Sequence, residues 1–70
     1  MSAKVLDMIA LLEDIPQRGL IRGQMGTIVE QLGPDSFEVE FSDNNGRSYA
    51  SLALNLRQFL VLHGEAVRTA

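Results

Sequence analysis

The stretch FEVEF, residues 37–41, alternates apolar and acidic residues without a fault, and DNNG (43–46) follows it almost at once. A strict period of two suits a pleated strand with one face buried. It does not suit a helix, whose apolar positions recur every three or four residues. Asn45-Gly46 is among the strongest local signals for reversing a strand. SYASLAL (48–54) then alternates again, with Ala50, Leu52 and Leu54 on the side expected to be buried and Tyr49, Ser51 and Ala53 on the other. The hairpin thus formed sets the class of fold for the whole chain.

Upstream, GTIVEQL (26–32) gathers Thr, Ile and Val, which favour an extended chain. GPDS (33–36) separates it from FEVEF, so three strands make an antiparallel meander. PQRG (16–19) is an earlier break, with Pro16 forcing Ile15 into an extended conformation. FLVLH (59–63) is too short for a helix and suits a closing strand; NLRQ (55–58) before it suits one helical turn capped by Asn55. AKVLDMIALLEDI reads two ways. Val5, Ile9 and Leu12 fall at helical spacing, whereas a strand would align Ile9, Leu11, Glu13 and Ile15 on one face. HGEAVRTA (63–70) has little patterning and reads as a partly ordered tail beyond a core of about 5–62, within one domain spanning 1–70.

Seventy residues without a cysteine must fold on a small core with no disulfide and no thiolate metal site. Self-association often supports such chains, so a homodimer is an open expectation. The net charge of −3, from nine acidic and six basic residues, disfavours nucleic acid and anionic membranes as main partners. The apolar stretch Met8–Leu12 is far shorter than the ~20 residues of a membrane span and is flanked by carboxylates, so a cytoplasmic protein is expected.

GLIRGQMGTIVE (19–30) raises the question of a phosphate loop. A P-loop needs a lysine after its last glycine, and here Thr27 follows Gly26; a dinucleotide fingerprint needs a different spacing and a helix afterwards. Both readings fail. Gly23 and Gly26 are better explained as strand-entry positions, needed either for positive φ or because a neighbour comes too close for a Cβ. The order of strand, loop, G-x-x-G-x-[IV]-V and meander is that of small SH3-like barrels, including those with a KOW-type motif.

ALLEDIPQRGLIRGQMGTIVE, FEVEFSDNNGRSYASLAL and LRQFLVL together resemble an uncharacterised family of short bacterial proteins, a domain of unknown function. The most specific pieces are LLEDIP, GQMGTIVE and FEVEF with DNNGRSYA after it. The resemblance implies an all-β fold, a small SH3-like barrel of about five antiparallel strands, with Leu11 to Ile15 as a strand leading into the Pro16 loop. It implies no reaction, cofactor or catalytic residue.

The residues themselves give an enzyme little support. His63 is the sole histidine, and Ser36, Ser42, Ser48 and Ser51 sit in no nucleophile motif. Glu38 and Glu40 lie about 7 Å apart on one strand face, within reach of Glu30 across the hairpin; a solvated face is the simpler reading than a catalytic pair. Aligning Gly46 with the invariant glycine of a calcium loop puts Phe41 and Leu52 at ligand positions, so that match breaks. Arg47 follows the turn, within reach of Asp43 or Glu40. No metal site and no cofactor is expected.

The best candidate contact surface is the loop before the second strand, with Arg18, Arg22, Gln24 and Met25, joined by Tyr49. Pro16, Gly23, Gly26, Asn45 and Gly46 are read as turn and structural positions. The expected function is a small non-catalytic module that binds another protein or itself, with MIALL apolar on both strand faces so that a partner covers the outer one. An antitoxin or immunity protein, an acidic chain masking a basic partner, is one specific form of this. The alternatives are a KOW-like nucleic-acid binder and a small non-catalytic subunit of an enzyme.

Overall fold

In a computed structural model the chain is described over residues 3–43 and 45–63, which leaves all of the expected tail except His63 outside the described residues. Five antiparallel strands form one sheet: β1 (Met8–Leu11), β2 (Met25–Gln31), β3 (Ser36–Ser42), β4 (Ser48–Asn55) and β5 (Phe59–Val61), in the order β4-β3-β2-β1-β5. Single 3₁₀ turns at Pro16–Arg18 and Leu56–Gln58 connect β1 to β2 and β4 to β5. The fold is all-β, as the alternating segments require.

The first segment is a strand and not a helix. It lies earlier in the chain than the resemblance implies: β1 spans Met8–Leu11, where the resemblance puts a strand from Leu11 to Ile15. The Leu12 N–H donates to the Gln58 carbonyl, and the chain then bends away. Ile15 regains extended backbone only to face Leu20 in an isolated bridge. Both side chains are buried, and they close the concave side of the sheet.

Ile9, Leu11, Ile28, Phe37, Val39, Phe41, Leu54, Phe59 and Val61 line that side and complete the core. Phe37 and Phe59 meet edge to face, 6.0 Å between ring centroids, which joins the meander to the closing strand. Of the β4 residues expected to be buried, only Leu54 is; Ala50 and Leu52 are half-buried because β4 is an edge strand, covered from one side alone.

The two glycines of the entry turn meet the two needs separately. Gly23 has φ 88° and open space around it, so backbone conformation selects it. Gly26 lacks positive φ, yet a Cβ there would stand 2.9 Å from Phe41 and Val39 side-chain carbons. Proximity to the core selects it.

The β3–β4 turn is tied by Asp43. Its carboxylate accepts from the Asn45 and Arg47 backbone N–H groups at 2.9 and 3.0 Å, and its carbonyl accepts from Gly46, which takes φ 78°. Arg47 therefore meets Asp43 through its backbone; the one ion pair among the described residues is Lys4–Asp7. The turn before β5 is closed reciprocally, Asn55 Oδ1 accepting from Arg57 N and Gln58 Oε1 from Asn55 N.

Candidate binding groove

Side chains alternate along each strand, so the residues between the core positions point to the convex face. Register then decides which of them meet. Met8 lies opposite Thr27, Thr27 opposite Glu40, and Glu40 opposite Ser51, a row that crosses four strands. The Thr27 hydroxyl donates to the Met8 sulfur at 3.4 Å, fixing one end of the row. Met25 stands beside Thr27 on the same strand face, and Tyr49 enters from the start of β4.

Met8, Met25, Thr27, Glu40 and Tyr49, together with Gln24, Gly26, Ser42 and Asp43, line an open groove of about 530 Å³. Its walls are apolar and exposed: Met8 is 42%, Met25 54% and Tyr49 45% accessible. Its floor carries the half-buried Glu40, and Asp43 stands at one end. Neither carboxylate has a basic side chain at ion-pair distance among the described residues.

Three of the five binding residues expected from sequence come together here: Gln24, Met25 and Tyr49. Gln24 has a structural duty as well, its Oε1 accepting from Ile21 N–H at 3.2 Å. Arg18 and Arg22 lie elsewhere. The Arg18 guanidinium donates to the Ser51 carbonyl on the free edge of β4 at 3.0 Å, and the Arg22 backbone N–H donates to Asp14 at 2.8 Å. Met8, Thr27, Glu40, Ser42 and Asp43 were not singled out from sequence as contact residues. Period-two patterning marks Glu40 as outward, but which residues face it depends on strand pairing.

At the other end of the convex face a bulge at Val29 shifts the register, and Glu30 then stands opposite Glu38. Ser51 Oγ donates to Glu38 at 2.6 Å, so this carboxylate has a partner within the chain. His63 is exposed just past β5. Among the described residues no three His, Cys, Asp or Glu side chains are placed to hold a metal ion. No helix there is long and apolar enough to cross a membrane.

A five-stranded antiparallel sheet curled over a small core, with a half-apolar, half-acidic groove on its outer face, defines the class: a small all-β domain. Within that class, the chain belongs to the family described as domain of unknown function DUF4926, whose model matches residues 5–61. No curated protein and no solved structure matches it.

Proposed function

We propose that the protein is a non-catalytic module that binds another protein through the convex face of its sheet. The observation that carries this reading is the groove itself. Two methionines and a tyrosine stay exposed around it although the fold does not need them there. Flexible thioethers and an aromatic ring are the side chains that recur at protein contact surfaces. Isolated apolar residues on a surface need no explanation, but a set arranged around one concavity does. The arginines speak against the nucleic-acid alternative, since Arg18 is engaged with Ser51 and neither Arg18 nor Arg22 lines the groove.

The test is a pull-down of the tagged protein at native level, with captured protein identified and captured nucleic acid quantified. A stoichiometric protein partner that survives nuclease treatment is the expected result. Recovery of RNA or DNA that washes off with salt would overturn the reading.

A further inference from the structure

We infer that the groove receives an arginine side chain from the partner protein. This inference rests on the module reading above and gives it a chemistry. Three features of the groove converge on a guanidinium rather than on an apolar or acidic group.

The first is charge. Glu40 on the floor and Asp43 at the end are both carboxylates that pair with no basic side chain among the described residues, in a chain of net charge −3. A basic group entering the groove would meet two carboxylates, Asp43 already held by the backbone N–H groups of Asn45 and Arg47 and Glu40 with no such bond, and no cation among the residues that line it. An acidic group would meet only repulsion.

The second is the walls. Tyr49 offers an aromatic face, and Met8 and Met25 offer polarisable sulfur. A guanidinium is planar and weakly hydrated, so it lies against such surfaces at less cost than a compact, strongly hydrated ammonium. It also presents a fork of donors that a carboxylate accepts in pairs. Lysine would use the charge but not the walls.

The third is size. Strands stand ~4.8 Å apart, so Met8 on β1 and Tyr49 on β4 are separated by three strand intervals, on the order of 14 Å. Thr27, Ser42 and Gln24 supply polar groups along that span. The space admits one extended side chain together with the backbone that carries it.

The experiment follows the methionine methyl and backbone amide signals by NMR while N-acetyl-arginine amide is added, with N-acetyl-citrulline amide as an uncharged probe of the same shape. The arginine probe should shift Met8, Met25 and Tyr49 in a saturable manner. The citrulline probe should bind about fivefold more weakly or worse, and Glu40→Gln should weaken the arginine probe by a similar factor. Glu40 packs in no core cluster, so the variant is expected to fold; its amide spectrum checks this. Absence of shifts, or equal affinity for the two probes, would overturn the inference. A captured partner whose binding ignores both Glu40→Gln and Tyr49→Ala would overturn it while leaving the module reading intact. Saturable, charge-dependent arginine binding without any captured protein would do the reverse.

Discussion

The two ends of the convex face carry the same kinds of residue and treat them differently. At the bulge end, Glu38 accepts a hydrogen bond from Ser51, Glu30 stands exposed across from it, and Val29 is an exposed apolar side chain. At the groove end, Glu40 and Asp43 sit among Met8, Met25 and Tyr49 with no ion pair to either among the described residues. Carboxylates and exposed apolar side chains occur at both ends, so neither alone marks a contact surface; what sets the groove end apart is that Met8, Met25, Tyr49, Glu40 and Asp43 line one concavity.

The comparison is broken most severely from beneath. Gly26 borders the groove through its backbone while its missing side chain leaves room for Phe41 and Val39. Gly26→Ala should cost about 1–3 kcal/mol in chemical denaturation, the range for overpacking a filled core. Gly23→Ala, strained only by its φ of 88°, should cost about 1–2 kcal/mol. If Gly26→Ala were neutral, the groove would rest on a looser core than the packing here describes.

A smaller effect is expected at the β4 edge. This strand of eight residues carries no charge and no proline, and the Arg18 guanidinium lies on its Ser51 carbonyl. An uncovered edge of this kind is prone to pair with another chain. Arg18→Ala should therefore raise the self-associated fraction in sedimentation velocity, with stability little changed. Arg18→Lys, which keeps the charge, should show less of the effect.

Smaller still is the like-charge pair. Glu30→Gln should stabilise the fold by less than about 1 kcal/mol, since like charges directly opposite across strands repel. Glu40→Gln, which has no carboxylate directly opposite, should change stability less than Glu30→Gln does. Equal gains at the two sites would remove the distinction between the ends.

The smallest effect lies outside both ends and serves as their control. The Lys4 backbone N–H donates to Asp7 and holds its carboxyl below the ordinary value of 3.8, with the Lys4 ammonium adding to the effect. A folded pKa below the unfolded one contributes stability above the unfolded value and loses it as pH falls through the folded value. Asp7→Asn should therefore lower stability slightly at neutral pH and make it less sensitive to acid below about pH 4, measured by thermal melts across pH.

Much of the fold was legible in the sequence, for local reasons. FEVEF fixes its own faces by alternation, and NLRQ carries both halves of its cap. β1 was harder. Its apolar pattern continues to Ile15, but the strand stops where the Leu12 N–H finds the Gln58 carbonyl, a partner 46 positions away in the chain. The site was legible only in part, for the same reason. Met25 and Tyr49 could be proposed from their loops, whereas the Met8–Thr27–Glu40 row exists only once register is set, before the Val29 bulge shifts it. Proximity in sequence places Arg18 with Met25, but its guanidinium reaches the Ser51 carbonyl of β4, 33 positions away, and does not line the groove.

The central claim is that the groove end, and not the bulge end, meets the partner. The most direct measurement compares capture of the stoichiometric partner by the wild type, by a Met25→Ser/Tyr49→Ala variant and by a Val29→Ser variant, each first checked for a folded spectrum. The account predicts that the first variant loses the partner and the second retains it. Retention by the groove variant, with loss on changing Val29, would contradict it.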